Sequence, residues 1–227
     1  MSRVRNIVFD CNESILDLAT VTPVFQRLFG EPGTMRLWFR ELIQALTIAN
    51  VYVPFTDIGG AVLEKIAAPR GVKITAADRT ELTDRFATMP PYPDVPGALR
   101  RLRQAGFHLF TLTDNTAAIS WRQLTHGGII DLFDHRFSVD DTAKRHKPAP
   151  EAYAEVTGAL GASPSDMCMV ACHTWDTIGA QAVGWEAGLI KRVNNDVLDT
   201  AAKPQYVGKD LNAIAGQIIA RYGPGHG

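Results

Sequence analysis

Four short polar clusters, three of them closing an apolar run, carry the reactive groups of this chain. The run from Val4 to Phe9 stops at Asp10, which is followed by Cys11 and Asn12. The others are Thr113-Asp114-Asn115, Lys147-Pro148 and His173-Thr174-Trp175-Asp176. A carboxylate can attack carbon or phosphorus, form an ester or acyl phosphate, and be regenerated by water. Asp10 is the candidate for that attack. An ammonium close by would keep it ionised and stabilise negative charge, and the proline after Lys147 fixes an extended approach suited to holding one. Thr113 could donate a hydroxyl into the same cleft, with Asp114 and Asn115 as alternatives at that strand end. Asp176, with the polar strand ends, could orient a water. Each group also has a plainer reading. Asp10 could cap a turn, Lys147 could sit in a solvated basic loop with Lys144 and Arg145, Asp176 could cap a helix, and His173 and Trp175 could serve packing.

To converge, these clusters need parallel strands. In an open parallel sheet, ligands bind in the crevice at the carboxyl ends of the strands. Residues 4–10 read as a buried strand, short and rich in β-branched and aromatic side chains. From about 17 to 88 the pattern is helical, most clearly from Met35 to Ile43 and on to Ile48, and again from Asp78 to Phe86. Pro90, Pro91, Pro93 and Pro96 then mark a boundary, since such a run fits neither a helix interior nor a central strand. Beyond it strand and helix alternate. Strands are expected at 107–113, 137–139, 167–172 and 187–190, and helices at 97–104, 117–126, 150–158 and 176–183. This rhythm implies an α/β fold, a Rossmann-like doubly wound parallel sheet covered on both faces. Its core would comprise residues 1–16 and 96–227, with an inserted helical cap over 17–95. Phe39, Tyr52 and Phe55 are candidate lining of an apolar pocket under that cap. A glycine-rich tail closes the sequence at 223–227.

The 227 residues suffice for a sizeable core, and 46% hydrophobic with 21% charged residues is ordinary for a soluble globular protein. A formal net charge of −1 gives no support to electrostatic binding of nucleic acid or of an acidic membrane. No apolar stretch is long enough to span a bilayer, and the N-terminus has no signal-peptide pattern, so cytoplasmic residence is expected. Three cysteines, Cys11, Cys168 and Cys172, argue against a disulfide framework and read as small buried residues.

In their order, the Asp10 strand, helical insertion, Thr113 strand end, Lys147-Pro148 and Asp176 resemble the haloacid dehalogenase superfamily along essentially the whole chain. Within it the chain is most similar to the type II 2-haloacid dehalogenases. Ser14 and Asp17 stand at the spacing of that branch's Thr and Asp, Tyr153 follows Lys147-Pro148 at its spacing, and Trp175-Asp176 matches its Trp-Asp pair. The resemblance implies a hydrolase acting on carbon–halide bonds without a cofactor. Asp10 would displace halide from C2 of a short 2-haloalkanoate, and a water oriented by Asp176, Lys147 and His173 would cleave the resulting ester. The product would be a 2-hydroxy acid, inverted at C2. Ser14, Lys147 and Tyr153 would hold Asp10, and Thr113 with nearby backbone N–H groups would bind the substrate carboxylate. Asn12, Asn115, Tyr153, His173 and Trp175 would line the substrate. The branch's halide-binding Arg directly follows a Trp, whereas here Phe39 follows Trp38 and Arg40 comes one position later, with Arg36 on the same helix face. His173 in the last loop, where the branch has Asn, permits activity on fluoroacetate. A homodimer is also implied.

The phosphatases of the superfamily are the competing branch. Their pattern is Asp-x-Asp at the first strand, with a second acid protonating the leaving alkoxide and Mg²⁺ held by several carboxylates. Asn12 cannot act as that acid. The position four before Asp176 is Cys172, which thins the oxygen set that Mg²⁺ requires. A catalytically silent binding protein on the same fold is a third reading, and a phosphonatase-type enzyme with Lys65 as its cap lysine a fourth.

Overall fold

The computed structural model describes residues 4–48, 51–192 and 195–223; the glycine-rich tail, Gly223 apart, lies outside them. Six parallel strands form one sheet: β1 (Asn6–Phe9), β2 (His108–Thr113), β3 (His135–Ser138), β4 (Met167–Ala171), β5 (Glu186–Ile190) and β6 (Tyr206–Gly208), in the order β3-β2-β1-β4-β5-β6. The strand order reverses between β1 and β4, which is where a doubly wound sheet opens a crevice at its carboxyl edge. The register sets Phe9 beside Thr111 on one side and Val170 on the other. Asp10, the Thr113 cluster and the His173 cluster therefore emerge at one edge, as the sequence implies.

Alternation along β1 divides the core. Ile7 and Phe9 pack on one face with α5 (Val95–Gln104) and α9 (Leu211–Tyr222), while Val8 packs on the other with α7 (Pro150–Ala159) and α8 (Thr174–Ala182). With α6 (Ala117–His126) the helices cover both faces, and the near-continuous apolar character of the strands follows. The helices α5 to α8 fall where expected to within about three residues, the uncertainty that frayed ends carry. Two further elements lie beyond the expected ones: β6 extends the sheet, and α9 packs on it.

The insertion between β1 and β2 holds α1 (Thr22–Phe29), α2 (Thr34–Ile48), α3 (Phe55–Ala67) and α4 (Ala76–Ala87). Trp38 of α2 packs against Phe25 and Phe86, and its Nε1 donates to the Gly59 carbonyl at 2.9 Å. A Cβ at Gly59 would sit 3.3 Å from the Trp38 ring, so the small residue permits this approach. The chain leaves and re-enters the sheet layer side by side, Asp17 N donating to Pro90 O at 2.8 Å and Tyr92 N to Ile15 O at 3.1 Å. Arg192 clamps this neck, with Nη2 on the Ser14 carbonyl at 3.0 Å and a bidentate pair to Asp94 at 3.0 and 3.1 Å. Among the described residues, no helix is long and apolar enough to cross a membrane.

Candidate active site

Asp10 is the first residue beyond β1, its N–H donating to Val170 O at 3.1 Å. Its Oδ1 accepts from Lys147 Nζ at 2.9 Å, and its Oδ2 accepts from the Ser14 hydroxyl at 2.6 Å. Ser14 is itself fixed by Cys172 N, which donates to its Oγ at 2.9 Å. Lys147 Nζ also donates to Asp176 Oδ2 at 2.8 Å and to the Leu112 carbonyl at 3.0 Å, which uses its three protons. Tyr153 donates to Asp176 Oδ1 at 2.7 Å. Four of the sequence-derived candidates thus meet around one buried ammonium. Asp176 lies in the first turn of α8, but its side chain is committed to Lys147 and Tyr153 and caps nothing.

Electrostatics follow from that geometry. Burial raises the Asp10 carboxyl, but the Lys147 charge, His173 and the Ser14 hydroxyl outweigh it and hold the group well below the usual carboxylate range. Burial dominates at Asp176, which is pushed up to about 6 despite Lys147. Lys147 is raised, its desolvation being overcome by Asp10, Asp176 and Asp114. Cys11 is pushed up to about 12 by burial and then by Asp10, as expected of an inert buried thiol.

The loop Asp10–Ser14 brings a second acid that sequence reasoning passed over. Glu13 is buried, has φ 63°, and is ion-paired to Arg36 of α2. His173 Nε2 donates to Glu13 Oε2 at 3.0 Å, and its Nδ1 faces Asp10 Oδ2 at 3.6 Å. The ring stacks on Trp175 with centroids 5.2 Å apart and meets Phe39 at 5.8 Å. Burial pushes the imidazole down, but the Cys172 sulfur and the Asp10 carboxylate raise it to about 10. A group raised on folding stabilises fully below its unfolded value of 6.5, and that contribution is lost as pH rises through about 10. Denaturant melts should therefore show stability of the native chain falling across this window, and His173→Gln should flatten the fall. An unchanged slope in the variant would refute the assignment.

The remaining candidates divide. Asn12 and Asn115 face each other, with Asn115 Nδ2 donating to Asn12 Oδ1 at 3.0 Å and to Gln123 Oε1 at 3.0 Å, so their amides are spent on a buried network. The Thr113 hydroxyl, read as a donor into the cleft, accepts from Asn115 N at 3.2 Å. Asp114 is turned to Lys147 N and His146 Nδ1, at 3.0 and 3.1 Å. Arg40 is exposed and lines a cavity of about 240 Å³ with Glu13, Arg36, Phe39, His173 and Trp175. Phe39, Tyr52 and Phe55 do not share one pocket. Phe39 lines that cavity, Tyr52 stacks on His146 with its hydroxyl on Asp140, and Phe55 packs on Phe86. Lys65 pairs with Glu41 on the surface.

Gly179 of α8 marks how closely α7 and α8 approach. A Cβ there would lie 2.6 Å from the Tyr153 hydroxyl and 2.8 Å from Pro148 Cβ. Gly179→Ala should cost about 1–3 kcal/mol by overpacking and displace Tyr153 from Asp176. A thermal melt indistinguishable from the native one would contradict this.

The oxygen set for Mg²⁺ does not fit. Lys147 Nζ stands between Asp10 and Asp176, the Asn12 amide is turned to Asn115, and Cys172 occupies the loop position where a further carboxylate would be needed. Glu13, Cys172 and His173 converge within 4.8 Å, a soft and nitrogen-containing set with Arg36 already against its only carboxylate.

The sequence pattern of the haloacid dehalogenase-like hydrolases matches residues 4–184. The chain belongs to that family. It is 27% identical over 221 residues to the (S)-2-haloacid dehalogenase of Pseudomonas sp. strain YL, covering 94% of each chain. It is 25% identical over 219 residues to haloacetate dehalogenase H-2 of Moraxella sp. strain B, covering 94% of this chain and 97% of that one. The solved L-2-haloacid dehalogenase of Xanthobacter autotrophicus superposes with a TM-score of 0.86 at 19% identity, covering 96% of this chain and 98% of that one, which shows a shared fold. A haloacid dehalogenase-like hydrolase thus underlies the site, and the α/β sheet expected from the strand–helix alternation is the one found.

Proposed function

We propose that this hydrolase is a dehalogenase that converts a short 2-haloalkanoic acid to the 2-hydroxy acid through an ester on Asp10. The observation that carries the reading is the pair of missing acids: Asn12, bound to Asn115 at 3.0 Å, stands where phosphate ester cleavage would need a proton donor, and Cys172 stands where it would need a further carboxylate. The Lys147 ammonium, 2.9 Å from Asp10 and 2.8 Å from Asp176, serves the attack itself. It leaves Asp10 ionised, and a halide needs no acid to leave, so Asn12 in place of an acid costs this reaction nothing. The relatives named for haloacid and haloacetate substrates support the same chemistry.

In this reading Ser14 orients Asp10 Oδ2, Lys147 screens the carboxylate, and Tyr153 and Asp176 hold Lys147. Attack in line on C2 forms the ester and expels halide toward the cavity lined by Arg40, Phe39 and Trp175. Thr113 acts by shaping its strand end and presenting backbone N–H groups, and the Asn12–Asn115 pair keeps the substrate's surroundings rigid. The helices of residues 17–95 form the cap, and residues 1–16 with 96–227 the catalytic core. A homodimer and cytoplasmic residence belong to the same reading. Ile48 and Val51, 70% and 72% exposed, offer apolar surface to a second copy, and Cys11, Cys168 and Cys172 are free thiols.

A halide-release assay with chloroacetate, bromoacetate and fluoroacetate, with and without chelator, tests it. Halide release that the chelator leaves unchanged is expected. Turnover in heavy-oxygen water should place label in the Asp10 carboxyl. Release of phosphate from small esters on adding Mg²⁺, with no halide release, would overturn the reading in favour of the phosphatase branch.

A further inference from the structure

The residues that hold Asp10 explain its attack, but they leave the second half-reaction without an accessible base. Asp176 has one oxygen on Lys147 and the other on Tyr153, and is fully buried. We propose that His173, positioned by Glu13, accepts the proton of the water that hydrolyses the ester on Asp10. This rests on the haloacid reading above and adds to it a catalytic base and a positioning acid, both outside the Asp10–Lys147–Asp176 cluster.

Three features of the geometry carry it. First, the Nε2–H bond to Glu13 at 3.0 Å selects the tautomer. A neutral ring then has its lone pair on Nδ1, the nitrogen 3.6 Å from Asp10 Oδ2. That gap exceeds a direct hydrogen bond, and a water bonded to Nδ1 would lie against the Asp10 carboxyl. Second, the ring cannot swing away, being stacked on Trp175 at an interplanar angle of 14° and bounded by Phe39. Third, His173 and Glu13 both line the 240 Å³ cavity, which gives water and protons a path that Asp176 lacks. Glu13 adopts its left-handed φ of 63° without being glycine, a strained conformation of the kind that gathers at functional sites.

The titratable and charged groups facing His173 come from every element around it. They are Asp10 at the end of β1, Glu13 in the following loop, Cys172 at the end of β4, and Arg36 and Arg40 of α2 across the cavity, with Lys147 on the other oxygen of Asp10. In the resting protein the ring is flanked by two carboxylates and keeps both protons. When Asp10 attacks C2, the carbon–halogen bond breaks with its electron pair on the halide, and Asp10 becomes a neutral ester. The carboxylate facing Nδ1 is then gone, and the imidazolium releases a proton through the cavity. The neutral ring takes a proton from water as its oxygen bonds to the Asp10 carboxyl carbon. It returns that proton to the departing alkoxide as the acyl–oxygen bond breaks, and finally takes the carboxyl proton of Asp10. Each turnover yields one hydroxy acid, one halide and one proton, and the proton leaves between the two bond-breaking steps.

Rapid-quench kinetics with chloroacetate on the full chain, read by halide, intact mass and a pH indicator, test this. Native protein should release halide steadily with little ester present. His173→Gln should give about one equivalent of halide per chain in a burst, then turn over at least about 100-fold more slowly, with the carboxymethyl ester trapped on Asp10. In His173→Ala, added imidazole should speed decay of that ester, an effect that a structural role would not produce. Glu13→Gln should slow turnover about 10-fold and move the acidic limb of the kcat profile to lower pH, because the base has lost the carboxylate that strengthens it. His173→Gln turning over within about 3-fold of native, or a folded His173→Gln that loses the burst along with turnover, would overturn the inference. If the native chain releases no halide and forms no ester, the haloacid reading itself falls, and the relay with it.

Discussion

Asp10→Asn is expected to lower halide release by about four orders of magnitude or more, since the neighbouring carboxylates are engaged by other partners. Asp176 is the nearest acid in chemical type, yet it is enclosed by Lys147 and Tyr153. Glu13 is committed to Arg36 and His173. The variant should still fold. Its amide oxygen can accept from Lys147, and Asp176 remains to compensate the ammonium. The cost should be about 1–3 kcal/mol, below the ~3–5 kcal/mol typical when a buried pair loses one partner outright. Halide assays beside a denaturation curve check both parts. A folded variant retaining more than about 1% of native turnover would remove Asp10 from the role of nucleophile.

Stability against acid follows from the same carboxylate. The folded value of Asp10 lies below its reference of 3.8, so it contributes stability above that pH which is lost as pH falls. Asp176 acts in the opposite sense. Raised to about 6, it stabilises fully below 3.8 and loses that contribution as pH rises through about 6. The cluster is thus poised against itself, and Lys147 is what reconciles its two acids.

Much of this was legible in the residues. A strand that ends in Asp10, the Thr113 strand end and the Lys147-Pro148 turn are local signals, because apolar runs and proline constrain the backbone over a few residues. The parallel sheet follows from the alternation, and its strand order then brings the clusters to one edge. The pairing of Glu13 with His173 and Arg36 was not legible in that way. It joins three elements separated by 160 and more than 20 positions, and an acid at position 13 reads in sequence as ordinary loop polarity. Thr113 and Asn12 show the converse. Their types suit substrate contact, but neighbouring amides claim them once the chain closes. The last helix was legible and was passed over. Leu211, Ile214, Ala215 and Ile218 keep helical spacing behind Asp210, which caps Ala213 N at 2.8 Å. The three-residue β6 carries too few positions for any pattern.

Lys147→Met should be more damaging to the fold than any other single change in the site. Methionine matches the stem of the lysine in volume, so little of the effect comes from packing. What is lost is the positive charge facing Asp10 and Asp176, together with a donor to the Leu112 carbonyl. Two carboxylates then share a buried space without a counter-charge, and one of them must take up a proton. Asp176, already at about 6 with the ammonium present, is the one to do so. Asp10 loses its largest favourable partner and rises as well, which weakens it as a nucleophile at neutral pH. The expected cost is about 3–5 kcal/mol, with turnover reduced at least about 1,000-fold. Lowering the pH toward 5 should recover part of the stability, because protonation removes the repulsion, and should recover none of the activity, because it also removes the attacking anion. Denaturant titrations at several pH values, run beside halide assays, separate these two responses. A variant whose stability did not improve on acidification would mean that Asp10 and Asp176 do not depend on Lys147 for their ionisation.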